Sequence, residues 1–177
     1  MGLLKITARE QIPAEYMDTP IGELVEYQNL GREHKEYDSP RLLVGMCMDN
    51  RKQLKIPRNF AYVIRTAGAN MRGCEFPISY AISVGGVTHM AFIAHDQCGM
   101  SGLGARKEQF VKGMVENAGW DRERAERLFI ESAPRYEIGD EADFIGREAE
   151  RVRGLYPGVT VAAMLYTLND HTLSLIV

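Results

Sequence analysis

Cysteine is scarce in this chain of 177 residues: Cys47, Cys74 and Cys98 are the only three. An odd, sparse set argues against a disulfide framework and suits a reducing compartment, where a thiol is buried, catalytic or metal-bound. No run of about 18 apolar residues occurs, so no membrane span is expected. The excess of basic residues that marks a nucleic-acid surface is also missing, since 21 Lys and Arg face 24 Asp and Glu. The first residues, Met1-Gly2-Leu3-Leu4-Lys5, lack the basic segment, apolar stretch and cleavage site of a secretory leader. Thr7 falls one position too late for the myristoylation pattern. No internal repeat or low-complexity segment is visible. These absences lead to a cytoplasmic location and no nucleic-acid or membrane partner as expectations.

What remains is ordinary globular composition, 45% hydrophobic and 25% charged, at a length suited to one domain spanning 1–177. Thr19-Pro20 reads as a helix start, with Thr19 as cap and Pro20 at the first helical position. That helix runs to about Leu30 and buries Leu24 and Val25. Residues 1–39 form an N-terminal helical arm expected to pack on a partner subunit. Leu42-Leu43-Val44-Gly45-Met46 is apolar on both faces, as in a central parallel strand. A charged stretch, 50–59, precedes a second strand, Ala61-Tyr62-Val63-Ile64, and a tight turn at Ala67-Gly68-Ala69-Asn70. Ile78, Ala81 and Ile82 have helical spacing within 76–84, and Gly85-Gly86 ends that helix. A third strand, 88–94, delivers His95.

Beyond a glycine-rich loop, 106–117 reads as a helix burying Phe110, Val111, Met114 and Val115. Asp121 caps another, with Ala125, Leu128 and Phe129 inward. A third helix, 141–155, turns Ala142, Ile145, Ala149 and Val152 to one side. A strand at 159–166, a hairpin turn at Asn169-Asp170 and a returning strand at 172–177 close the chain. The short turn forces an antiparallel return. Strands alternating with helices predict an α/β fold: a mostly parallel central β-sheet with flanking helices and an antiparallel C-terminal strand. Ligands of such sheets bind beyond the carboxyl ends of the strands, where Cys47 and His95 fall.

Cys47, His95 and Cys98 are a three-residue zinc ligand set, and three protein ligands leave a fourth position open, as catalytic sites do. The same residues are equally readable as two small buried hydrophobes and a satisfied core histidine. Asp49 and Arg51 add weight to the metal reading. Along an extended chain Cys47, Asp49 and Arg51 point the same way. Asp49 then hangs beside the open position, where a carboxylate can accept the proton of a metal-bound hydroxide. Arg51 keeps Asp49 ionised and oriented. Two alternatives stay open: Asp49 as a fourth ligand closing the site, and a plain surface ion pair.

Cys-x-Asp-x-Arg after one strand and His-x-x-Cys-Gly after a later one resemble the β-class carbonic anhydrases. Cys47-Met48-Asp49 and Cys98-Gly99-Met100 look most like the small archaeal-type members. The likeness spans nearly the whole chain. It implies zinc held by Cys47, His95 and Cys98, with Asp49 and Arg51 as the functional dyad. It also implies a homodimer or higher homo-oligomer and reversible hydration of carbon dioxide to bicarbonate. Ala67, Gly68, Val87 and Phe92 are conceivable pocket walls, more simply read as core. His34 and His89 are candidate proton shuttles, more simply read as solvated surface.

The chain departs from the family pattern at three places. Asn50 stands where serine is usual, Thr66-Ala67-Gly68-Ala69-Asn70 carries one extra residue, and Ala94 replaces the usual glycine before the histidine. None removes a ligand. They put the substrate in question more than the metal, because relatives on this scaffold act on carbon disulfide or carbonyl sulfide. Cys74 reads as packing at a helix start, and Trp120 as an apolar staple before the Asp121 cap.

Overall fold

The structure is a computed structural model that describes residues 2–177. Met1, on which the leader and myristoylation readings partly rest, lies outside the described residues. Six strands form one sheet: β1 (Leu3–Lys5), β2 (Leu42–Cys47), β3 (Ala61–Thr66), β4 (His89–His95), β5 (Thr160–Thr167) and β6 (Thr172–Ile176). Their order is β1-β6-β5-β4-β2-β3. The four strands β3, β2, β4 and β5 run parallel, while β6 returns antiparallel on β5 and β1 pairs antiparallel with β6. The fold is therefore the α/β sheet expected from the sequence.

Alternation along β2 sorts its side chains between two cores. Leu42, Val44 and Met46 join Ala91, Ile93, Ala162 and Met164 on one face, under α1 (Pro20–Asn29). Leu43 and Cys47 join Met90, Phe92, Ala94 and Val161 on the other, under α2 (Glu75–Ser83) and α5 (Glu141–Leu155). β2 is buried along its whole length, which accounts for its continuous apolar run. Gly45 is required there: a Cβ would stand 2.8 Å from both the Phe92 ring and the Met71 sulfur.

The helix starts follow the expected chemistry. The Thr19 hydroxyl accepts from the Gly22 N–H, and Asp121 and Asp140 cap α4 (Arg122–Tyr136) and α5 through the N–H groups of Arg124 and Asp143. Ile21, Leu24, Val25 and Tyr27 of α1 are fully buried on this chain's own sheet. Leu24 and Val25 are thus buried as the sequence reading expected. β1 escaped the sequence reading because three residues are too few to show a period.

Helices α3 (Lys107–Ala118) and α4 pack chiefly on each other. They share a narrow seam of Val111, Ala125 and Phe129, with Phe110 tilted on Phe129 at 5.2 Å. Val115 and Leu128, expected inward, are instead 39% and 37% exposed, because no sheet lies beneath the outer edge of this pair. Among the described residues no helix is long and apolar enough to cross a membrane.

Candidate metal centre

Strands β2 and β4 are parallel neighbours, with Met46 opposite Ile93. Their carboxyl ends therefore lie side by side, and Cys47 and His95 are the last residues of each. Gln97 then adopts a left-handed conformation (φ 57°), which curls the chain so that Cys98 comes back toward the strand ends. The Cys47 and Cys98 sulfurs stand 4.0 Å apart. The ligating atoms of Cys47, His95 and Cys98 all lie within 4.8 Å of one another, and all three residues are buried.

Imidazole orientation is fixed from behind. His95 Nδ1–H donates to the Asp96 carbonyl at 2.8 Å, which leaves Nε2 as the lone-pair nitrogen. Asp96 is itself anchored, since its carboxylate accepts from Leu168 N–H at 2.8 Å and its N–H donates to Tyr166 at 3.2 Å. His95 Nε2 is buried with no hydrogen-bond partner among the described residues. A buried polar nitrogen without a partner is unfavourable by about 1–3 kcal/mol, and a cation between the three donors removes that deficit.

The spacing of the donors passes the same test. Two sulfurs bound at about 2.3 Å to one tetrahedral ion lie roughly 3.8 Å apart, close to the 4.0 Å found here. The hydrogen bond that Cys47 and Cys98 share, with His95 beside it, draws the Cys47 thiol well below the usual thiol range against the opposing effect of burial. The same hydrogen bond, together with burial, pushes Cys98 up. A thiolate and a thiol sharing a proton is a donor set that exchanges that proton for a metal ion. The residues fit zinc.

Asp49 and Arg51 stand at the rim, with side chains 23% and 52% exposed. Arg51 Nε donates to both carboxylate oxygens of Asp49 at 3.2 and 3.0 Å, and Nη2 donates to Oδ2 at 2.7 Å. This grip holds the Asp49 carboxyl well below the usual carboxylate range. Asp49 Oδ2 lies 3.9 Å from His95 Nε2. Asp49 and Cys47 do share one side, though not through an extended chain as the sequence suggested. β2 ends at Cys47, and a turn closed by Arg51 N–H donating to Asp49 Oδ1 at 2.9 Å brings the dyad round.

Three contributors were missed. Arg51 Nη2 also donates to the Gln97 carbonyl at 3.0 Å, joining the two ligand loops. Glu141, at the start of α5, accepts from the Cys98 N–H at 3.1 Å. Lys52 is fully buried, its ammonium donating to the carbonyls of Cys47 at 3.2 Å and Asp49 at 3.3 Å. It sits in the charged stretch 50–59, so nothing in the sequence marks it.

The other candidates fall elsewhere or into the core. Val87 and Phe92 are fully packed core residues, and Gly68 lies against Ile138 and Met100. His89 begins β4 while His95 ends it, so about 20 Å of strand separates them and His89 cannot relay protons from this centre. His34 is exposed, with Nε2 3.3 Å from the Lys55 carbonyl. Cys74 is half-buried at the start of α2, and Trp120 carries the Arg124 guanidinium 3.7 Å above its ring.

No family model matches the sequence, and no curated protein matches it. Solved structures do match the fold. The β-carbonic anhydrase isoform I of Trichomonas vaginalis aligns over 84% of this chain and 89% of its own, at 20% identity and a TM-score of 0.65. The carbonic anhydrase of Glaciozyma antarctica aligns over 94% of this chain and 100% of its own, at 18% identity and a TM-score of 0.63. A carbon disulfide hydrolase in its apo form aligns over 91% and 90%, at 19% identity and a TM-score of 0.55. The chain is thus built on the architecture of β-carbonic anhydrase structures.

Proposed function

We propose that this chain is a zinc-dependent carbonic anhydrase, interconverting carbon dioxide and bicarbonate. The observation that carries the reading is the unpartnered, buried His95 Nε2 facing two converging sulfurs, with an Arg-held carboxylate at the rim. Cys47, His95 and Cys98 are the proposed zinc ligands, and Asp49 and Arg51 the proposed catalytic dyad. Zinc held there supplies Lewis acidity, making a coordinated water a nucleophile near neutral pH.

The chain's own groups do the remaining work. Asp49, kept ionised by Arg51, accepts a hydrogen bond and so aims the nucleophile's lone pair toward the substrate. In this reading Arg51 would keep the Asp49 carboxylate at the rim, apart from the three donors. Carbon dioxide is small and apolar, and the ligands sit among apolar side chains that suit it, including Ala69, Met71 and Ala94. Zinc content measured at one equivalent per chain, with a stopped-flow pH-indicator assay of carbon dioxide hydration, tests the proposal. Zinc present without hydration overturns the substrate.

A second reading keeps the site and changes the electrophile. The likeness to a carbon disulfide hydrolase extends over nearly the whole of both chains. Asn50 and Ala94 stand near the proposed metal where the small archaeal-type members of the family, which the motifs resemble, have other residues. Sulfide release from carbon disulfide without carbon dioxide hydration selects this reading.

We further infer a homo-oligomer in the cytoplasm, with the chain acting as a single domain. Phe76, Tyr80 and Val84 form an exposed apolar stripe on α2 and its end, 80%, 51% and 67% accessible. Such a stripe suits a second copy better than water. Light scattering that gives the mass of one chain overturns the oligomer.

A further inference from the structure

Lys52 is a buried part of the centre that its proposed chemistry does not use. An ammonium is strongly hydrated, and removing it from water is unfavourable unless charge or hydrogen bonds compensate. Lys52 is 0% exposed. Both of its hydrogen-bond partners are main-chain carbonyls, those of Cys47 and Asp49, and neither carries a charge. The ammonium is therefore held by oriented main-chain dipoles of the turn that leaves β2. Arg65 Nη1 donates to the same Cys47 carbonyl at 3.1 Å, so that oxygen accepts from two cations.

The placement of those two carbonyls ties Lys52 to the centre. The carbonyls of residues 47 and 49 converge on one nitrogen five residues from the first ligand. The turn leaving β2 is therefore wrapped around the ammonium. One end of that turn carries a ligand sulfur, and the other carries the carboxylate 3.9 Å from His95 Nε2.

We propose that Lys52 is a positioning residue of the metal centre, a buried peg that sets the Cys47 sulfur and the Asp49 carboxylate in register on one side of the ion. The inference rests on the zinc reading above. Outer residues that orient metal ligands typically change metal affinity by roughly 10–100-fold when removed, and Lys52 is expected to fall in that range.

The test uses the full chain with Lys52→Met, which keeps length and loses charge and donors, and Lys52→Gln, which keeps a donor. Zinc affinity is measured by competition with a chromophoric chelator, and the cobalt(II)-substituted proteins are compared by absorption. Melting temperatures are recorded with and without zinc. The neutral variants are expected to bind zinc at least about 10-fold more weakly, with a shifted sulfur-to-cobalt band. The gap between zinc-loaded and metal-free melting temperatures should narrow. A lysine that only supports the fold would lower both temperatures together and leave affinity and spectrum alone. Parental affinity and spectrum in whichever variant folds overturns the proposal while the zinc reading stands. A parent protein that takes up no zinc overturns both.

Discussion

Arg51 donates through one nitrogen, Nη2, to Asp49 at 2.7 Å and to the Gln97 carbonyl at 3.0 Å. The guanidinium therefore clamps the loop after β2 to the loop between His95 and Cys98. A lysine carries the same charge but has a single donor head and no planar fork, so it cannot hold both oxygens of Asp49 and reach Gln97. Arg51→Lys is expected to keep zinc near one equivalent while kcat/KM for carbon dioxide falls by about 10-fold or more. Parental kinetics in that variant would place Arg51 outside the machinery.

Asp49 is the group the clamp serves. Its carboxylate stands 3.9 Å from His95 Nε2. Asp49→Ala leaves all three donors in place and removes the acceptor, so zinc content should persist. Turnover should fall by about 10²-fold or more. The two quantities are read on one sample, by metal analysis and stopped flow, and full activity would remove Asp49 from the proposed role.

The sheet was readable because its signals are local. β2 and β4 are continuous apolar runs, and Thr19, Asp121 and Asp140 are side-chain caps in the structure. Two of the three donors were readable for a related reason: Cys47 and His95 each close a strand, and parallel neighbours bring strand ends together, while Cys98 follows in the loop beyond β4. Lys52 and the Gln97 carbonyl were not. One is a charged residue whose burial depends on a turn wrapping it, and the other is a main-chain atom with no side-chain identity. Val115 and Leu128 misled for the opposite reason, because helical periodicity states which face is apolar and not whether anything covers it.

Cys98 is held by its sulfur toward Cys47 and by its N–H toward Glu141. Cys98→Ser keeps the second contact and replaces a thiolate with a hydroxyl that stays protonated at neutral pH and is a poor zinc ligand. Zinc content is expected to drop from about one equivalent to near zero after dialysis against a chelator-buffered solution, with the fold retained by circular dichroism. If the proposed site holds zinc in the folded form, chelation of the parent protein should lower its melting temperature. A serine variant that retains zinc overturns the ligand set.

Acid stability has a contributor far from the centre. Lys5 of β1 donates to Asp170 at 2.7 Å, and Thr172 adds its hydroxyl at 2.7 Å. Together they bring the Asp170 carboxyl down to about 2. A carboxyl lowered in the folded state stabilises the fold above its unfolded value of about 3.9, and that contribution is lost as pH falls toward 2. Asp170→Asn should therefore flatten the decline of melting temperature between pH 4 and 2, with a small effect at neutral pH because the pair is exposed. An unchanged acid slope would show that the clasp on β1 contributes nothing.

Gly45 tests whether the packing that presents Cys47 tolerates even one added methyl. It lies two residues before the ligand, opposite Phe92 in the adjoining strand. A Cβ there would sit 2.8 Å from the Phe92 ring and 2.8 Å from the Met71 sulfur, and both of those residues are fully buried. Neither can swing into solvent, so Gly45→Ala must displace β2 or distort two packed side chains, an overpacking cost of about 1–3 kcal/mol. In a chain of this size that corresponds to roughly 2–4 °C of melting temperature per kcal/mol. Displacing β2 would also move the Cys47 sulfur relative to Cys98, so zinc affinity should weaken along with stability. If stability falls and zinc affinity stays parental, the strain is absorbed by Met71 and Phe92 and does not reach the strand end.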